Sequence, residues 1–293
     1  MLEFHIWDVF TDRAFSGNPL AIVTGADGLT TAQMQIIAQQ FNLSETIFVM
    51  APRDAANTAR VRIFFPTAEI PFAGHPTIGC ALHLSGGADV RILLEEEAGL
   101  VPVEIRSGRA EFTAPKLPVA QPGQADPDLI ARATDLPADA IGLPGHQPAI
   151  WQGGPAFLYV PVRDLDALAA ARPIQPFWSQ AMQAAGVDSA YLYTPVKSGY
   201  RARMFSPTAG IPEDPATGSA SAILAGQLLA SHALAEGENR IPLEQGIEMG
   251  RASRIDMTAV VEAGELRQIR VAGCAVPVAQ GKIRIPVAQV TKS

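Results

Sequence analysis

At 293 residues the chain is long enough for one large domain or two of about 150. With 48% hydrophobic and 17% charged residues it reads as a globular protein able to bury a sizeable core. A formal charge of −7, without clustered lysine and arginine, argues against a nucleic-acid partner but leaves room for an anionic substrate held by backbone N–H groups. The two cysteines, Cys80 and Cys274, stand in no metal or redox spacing and fit a reducing compartment without a disulfide framework. The opening MLEFHIWDVF lacks the basic and apolar regions of a signal peptide, and no apolar run approaches the length of a membrane span. A cytoplasmic location and no membrane contact are the expectation.

In chain order, a first strand leads through a glycine-rich turn into SGNPLAIV (Ser16–Val23), a second strand. AQMQIIAQQF then reads as an amphipathic helix, NLSET as a turn and TIFV as a strand. RIFFPTAEIPFAGHPTIGCAL, from Arg62, gives a strand, a proline-rich turn and the start of a helix. That helix, TIGCALHLSGG, is apolar on nearly all sides and has to be surrounded by protein. Antiparallel hairpins follow over VRILLEEEAGLVPVEIRSGRAEFTAP. The proline- and glycine-rich AQPGQADPD (Ala120–Asp128) is the linker candidate.

The pattern then recurs. RMFSPTAGIPEDPATGSASAI, from Arg203, matches the segment from Arg62 at a spacing of 141 residues, with Arg62/Arg203, Phe64/Phe205, Pro66/Pro207, Thr67/Thr208, Ala68/Ala209, Ile70/Ile211 and Pro71/Pro212 identical. Upstream, GGPAFLYV echoes SGNPLAIV, and the helix–turn–strand from Ser179 echoes the one from Ala32. A second all-apolar helix, TGSASAILAGQLLASHAL, is followed by a second run of hairpins. A period this long means two similar domains, not a solenoid. We place them at residues 1–120 and 121–281, with a last strand over 282–290 able to cross back to the first. The fold class is α+β, each domain a curled antiparallel or mixed sheet around a central helix.

The two copies keep their turns and differ at the helix entrances. Ala73-Gly74-His75-Pro76 faces Asp214-Pro215-Ala216-Thr217, and Glu45 in NLSET faces Ser189. Such divergence suggests one composite site in a cleft between domains. Glu45 is either an exposed turn carboxylate or a general acid/base with its pKa raised in a partly dry site. Asp214 is either a helix cap or a site group, and His75 either a structural histidine or a reacting one. Thr217-Gly218-Ser219 offers N–H groups at a helix N-terminus, a place for a substrate carboxylate, and Gly17-Asn18 and Gly74 allow close backbone approach. The five histidines show no pair at metal-ligand spacing, and no phosphate loop, dinucleotide fingerprint or serine elbow is present. Cofactor-free proton-transfer chemistry is the resulting expectation, with no metal.

DVFTDRAFSGNPLAIV, NLSETIFV, FPTAEIPFAGHPTIG, EDPATGSA and QGIEMGR resemble, in order and over nearly the whole chain, the phenazine-biosynthesis isomerase (PhzF-like) family. The resemblance implies a diaminopimelate-epimerase-like fold of two pseudo-symmetric domains. Epimerases of that superfamily use two opposed cysteines, and the positions corresponding to them here read as Ala73 and Asp214. The resemblance further implies Glu45 as general acid/base, with His75 and Asp214 polarising or orienting the substrate. Gly74, Gly218 and Ser219 would bind its carboxylate, supported by Asn18 and Ser44. It also implies a substrate like trans-2,3-dihydro-3-hydroxyanthranilate and a homodimer. Two other readings stand beside it: an amino-acid racemase or epimerase working with Glu45 and Asp214, and a non-catalytic metabolite-binding protein.

Overall fold

The computed structural model describes residues 1–287. The chain divides into two compact units, one of Met1–Phe112 together with the segment from Gly273 onward, the other of Thr113–Ala272. The first runs β1 (Leu2–Val9), β2 (Asn18–Thr24), α1 (Thr31–Phe41), β3 (Glu45–Met50), β4 (Ala59–Phe64), β5 (Glu69–Ile70), α2 (Gly74–Ser85), β6 (Arg91–Glu96), β7 (Gly99–Arg106) and β8 (Arg109–Thr113). The second runs β9 (Val119–Ala120), α3 (Pro127–Thr134), β10 (Ala149–Gln152), β11 (Ala156–Pro161), α4 (Leu165–Ala170), α5 (Phe177–Ala185), β12 (Ala190–Val196), β13 (Gly199–Ser206), β14 (Ile211–Asp214), α6 (Gly218–Ala230), β15 (Gly237–Gln245), β16 (Ser253–Glu262) and β17 (Glu265–Gly273). Finally β18 (Ala275–Ile283) pairs antiparallel with β1, with Leu2 opposite Ile283. The strand that crosses back is thus Ala275–Ile283 and not 282–290: residues 284–287 are irregular, and 288–290 lie outside the described residues.

The repeat is a repeat of strand pairing. In the first unit β2 is parallel to β3 and β4 is parallel to β6. In the second, β11 is parallel to β12 and β13 is parallel to β15. Parallel neighbours need a crossover, and helices supply it: α1 and α2 in one unit, α4 with α5 and then α6 in the other. Strands joined directly by a turn pair as antiparallel hairpins in both.

Each unit has an inner helix that is buried on all sides. Gly74 through Leu82 of α2 are buried without a break, and the helix packs against β1, β2, β3, β6, β7 and β18. Ala220 through Leu228 of α6 are likewise buried, against β10, β11 and β16. Helices of this composition gain their stability from removal of apolar surface on every face, not from amphipathicity. The outer helices behave conventionally. Met34, Ile37 and Ala38 of α1 pack on Val23, Phe48 and Phe64, and a second core gathers α3, α4 and α5 over Leu158, Val160, Leu192 and Phe205.

The stretch read as a linker, Ala120–Asp128, contains the end of β9 and the cap of α3: Asp126 accepts from the Asp128 N–H and Pro127 sits at the first helical position. The Asp-Pro-Asp triplet is itself a helix-start signal.

Gly17 stands at φ +66°, directly before β2, and a Cβ there would lie 2.3 Å from the Val9 carbonyl oxygen. Gly17→Ala is therefore expected to cost about 1–3 kcal/mol, through backbone strain and the clash. A lowered melting temperature is the readout, and an unchanged one contradicts this account of the turn.

Candidate active site

Glu45 is the first residue of β3. Its placement is local: a capping box of Thr30 and Gln33 starts α1, Asn42 at φ 51° ends it, and the chain turns through Leu43 and Ser44 into the strand. Glu45 lies opposite Leu20 of β2 and is only 8% exposed, so it is not the exposed turn carboxylate that NLSET alone allowed. Its Oε2 is 2.9 Å from His75 Nδ1, and His75 Nε2 is 3.1 Å from the Asn18 backbone oxygen. Asn18, at the start of β2, and His75, in the first turn of α2, are both buried. Ser44 is half-buried beside Glu45, and Gly74 is the first residue of α2.

Proton counting constrains this triplet. A backbone carbonyl only accepts, so His75 Nε2 carries a hydrogen toward Asn18. A neutral ring then presents a lone pair at Nδ1, and Glu45 has to be the donor. A doubly protonated ring instead donates to a Glu45 carboxylate. In both states the pair holds one proton between them, which is what a group that must give and take a proton requires.

The second unit offers a different set. Asp214 ends β14 and is 4% exposed. Its Oδ2 accepts from the Thr217 hydroxyl at 2.5 Å. Burial holds the Tyr191 phenol above its usual range; a hydrogen bond with Ser221 opposes that, and the charge of Asp214 adds to it. Gly218 is the first residue of α6, and Ser219 follows it, half-buried. No side chain caps either α2 or α6, so the first-turn amides face outward from the helices without a side-chain acceptor at the cap.

One alignment needs correction. The caps of the inner helices are Ala73 and Thr217, a spacing of 144 and not 141. The physical reason is that β14 ends at Asp214, three residues beyond the position equivalent to the end of β5, and carries the chain that much further before its helix starts. Gly74 therefore corresponds to Gly218 and His75 to Ser219, and the position facing Ala73 is Thr217 in place of Asp214. Neither Ala73 nor Thr217 bears a thiol. The extra residues do two jobs. Arg62 is held by Glu69 at 2.6 Å, but the residue 141 positions beyond Glu69 is Gly210. Glu213, from the extension, takes over and binds Arg203 at 2.8 and 2.9 Å. Asp214 is then left for the helix entrance. Glu45 does correspond to Ser189, because Thr46 pairs with Phe64 as Ala190 pairs with Phe205, and Ser189 merely bonds the Ser206 hydroxyl at 2.7 Å.

Sequence reasoning missed Gln245. This residue, fully buried at the end of β15, donates to the Asp214 carbonyl at 2.8 Å and to Thr217 Oγ1 at 3.0 Å, and accepts from the Thr217 N–H at 3.1 Å. It opens the QGIEMGR motif, which was the available signal. Gly246 beside it sits at φ +72°, where a Cβ would come within 2.6 Å of the Pro215 carbonyl oxygen. Among the described residues no group of three or more histidine, cysteine, aspartate or glutamate side chains forms a metal cluster, and no helix is long and apolar enough to cross a membrane.

The chain matches the family model described as phenazine biosynthesis-like protein over residues 7–281. It is 40% identical to an uncharacterized isomerase of Mesorhizobium japonicum, across 97% of this chain and 99% of the relative. It is 34% identical, across the same shares, to the trans-2,3-dihydro-3-hydroxyanthranilate isomerase of Pseudomonas chlororaphis. A crystal structure of the Bacillus anthracis phenazine biosynthesis protein of the PhzF family superposes with a TM-score of 0.86 at 25% identity, across 97% of this chain and 99% of that one. The α+β architecture expected from the repeat, and the diaminopimelate-epimerase-like fold implied by the family resemblance, are what is found.

Proposed function

Because the chain belongs to the phenazine biosynthesis-like family, we propose that it is a cofactor-independent isomerase that moves a proton on a small, carboxylate-bearing metabolite resembling trans-2,3-dihydro-3-hydroxyanthranilate. The observation that carries this reading is the buried Glu45–His75 pair, with its single proton and its anchor on the Asn18 carbonyl. In this mechanism Glu45 takes a proton from one carbon of a conjugated system and returns it at another. His75 keeps the carboxyl oriented and shares its proton. One residue suffices for both transfers when the second site lies within its reach.

The substrate carboxylate is assigned to amides at the inner-helix N-termini, at Gly74, Gly218 and Ser219, where N–H groups without a side-chain cap and the helix dipole favour an anion. Asp214, its carboxylate fixed by Thr217, polarises or orients a basic group of the same substrate, with Asn18 and Ser44 as supporting polar contacts. That both units serve one substrate, in a cleft, is part of this proposal. So is a cytoplasmic homodimer, for which light scattering should give about twice the 31.0 kDa chain mass.

The test is conversion of trans-2,3-dihydro-3-hydroxyanthranilate by the purified protein, followed by NMR. Isomerisation supports the reading. Deuterium exchange at the α-carbon of free amino acids, without isomerisation, points to a racemase using Glu45 and Asp214. Ligand binding with no exchange at all points to a metabolite-binding protein. Ser219→Leu provides a local check: a bulky side chain at the α6 entrance should raise KM about tenfold or more by blocking an anion contact worth one to two kcal/mol. An unchanged KM removes Ser219 from the carboxylate site.

A further inference from the structure

Glu96 is the last residue of β6, 8% exposed, and takes no part in the chemistry described above. Its Oε1 lies 2.7 Å from the Thr77 hydroxyl, in the first turns of α2, and its Oε2 has no hydrogen-bond partner. Thr77 Oγ1 is also 2.7 Å from the carbonyl oxygen of Ala73, the cap of the same helix. A hydroxyl has one proton, and the Ala73 carbonyl only accepts. With the Thr77 proton on Ala73, the Glu96 contact needs a proton supplied by Glu96. The chain of bonds then runs from the Glu96 carboxyl to Thr77 to Ala73, and a neutral carboxyl also removes the cost of a buried charge with one bare oxygen.

The second unit holds an uncharged counterpart at the equivalent strand end, although the threonine it holds is the helix cap, Thr217, and not Ser221, the residue that the spacing of the caps sets against Thr77. β6 lies parallel to β4 with Ala59 opposite Leu94, and β15 lies parallel to β13 with Tyr200 opposite Leu243. Tyr200 stands 141 residues beyond Ala59, the spacing of the repeat, so the residue equivalent to Glu96 is Gln245. Gln245 is the uncharged isostere of a protonated glutamate, and it too ends its strand by holding a threonine hydroxyl at the inner-helix entrance. We propose that Glu96 and Gln245 are paired positioning residues, a neutral carboxyl and an amide that fix the entrances of α2 and α6 and thereby the site groups carried there, His75 and Gly74 in one unit and Asp214 and Gly218 in the other. This rests on the isomerase reading for what those groups do, but not for the geometry.

Burial pushes the Glu96 carboxyl up to about 8, with the Thr77 contact opposing. The other titratable group that faces it is the buried Cys80 thiol of α2, itself pushed up by burial and then by Glu96. Across the β6–β7 ladder Glu96 meets Gly99, which has no side chain, and β4 reaches the ladder with Ala59 and Arg60, opposite Leu94 and Glu95. The unfolded chain ionises Glu96 near pH 4.5, whereas the folded chain keeps it neutral until about 8. The folded state thus binds the extra proton over that interval, so stability falls as pH rises from about 4.5 to 8 and levels off above.

The experiment compares wild type, Glu96→Gln and Glu96→Ala by melting temperature and by turnover from pH 5 to 10. Glu96→Gln is expected to melt several degrees above wild type at pH 9, with the difference vanishing near pH 5. It should also keep its kcat through pH 8, where the wild-type rate falls as Glu96 ionises. Glu96→Ala should lose about tenfold or more in kcat at every pH, since Thr77 loses its donor. A Glu96→Gln variant that melts no higher than wild type at pH 9, or that matches Glu96→Ala in rate, overturns the proposal. The melting arm needs no substrate, so it decides the matter even if the assigned substrate is not turned over.

Discussion

Glu45→Gln is expected to lower turnover by about 100- to 10,000-fold, the range lost with a general acid/base. The glutamine keeps the shape of the carboxyl, and its amide nitrogen can donate to His75 Nδ1, 2.9 Å from the present oxygen. What it lacks is an exchangeable proton on a group of suitable basicity. The fold should hardly notice: the site is 8% exposed, but the substitution keeps the volume and the hydrogen bond to His75. A melting temperature within about 4 °C of wild type, about 1 kcal/mol for a chain of this size, is the expected accompaniment. A variant that retains the wild-type rate takes Glu45 out of the mechanism.

The second large effect is expected at Asp214. Asp214→Ala removes the acceptor of the Thr217 hydroxyl and the charge at the α6 entrance together. Turnover should fall by about 100-fold or more, the scale of a lost electrostatic contact to the reacting substrate. Stability should fall as well, by about 1–3 kcal/mol, because a buried hydroxyl is left without an acceptor. Asp214→Asn separates the two losses. It retains an acceptor for Thr217, so it should melt close to wild type while its turnover stays low. If Asp214→Asn is fully active, Asp214 holds the helix entrance and nothing more.

Much of the fold was legible because duplication wrote it twice. The spacing of 141 residues between Arg62 and Arg203 is the spacing between β4 and β13, and the two all-apolar stretches are the inner helices α2 and α6. The break at Asp214 was not legible. A gap-free alignment cannot register a longer β14, and seven identities upstream made the register look continuous to the helix. Burial of Glu45 was equally hidden, since a carboxylate after a turn reads as exposed until β2 is laid beside it through Leu20. Gln245 and Glu96 escaped notice for another reason. Each is a polar residue ending a strand, and its partner lies 28 or 19 residues away at a helix entrance. Strand alternation says nothing about such a contact, and only the ladder shows that the two positions are one.

In the proposed mechanism Glu45 is the residue that moves the proton. Turnover of trans-2,3-dihydro-3-hydroxyanthranilate in D2O, wild type beside Glu45→Gln, with the product read by proton NMR, decides whether it does. Conversion with deuterium at a ring carbon by wild type, and neither conversion nor exchange by the variant, is the predicted result. Conversion and deuterium incorporation at equal rates in both proteins would contradict it.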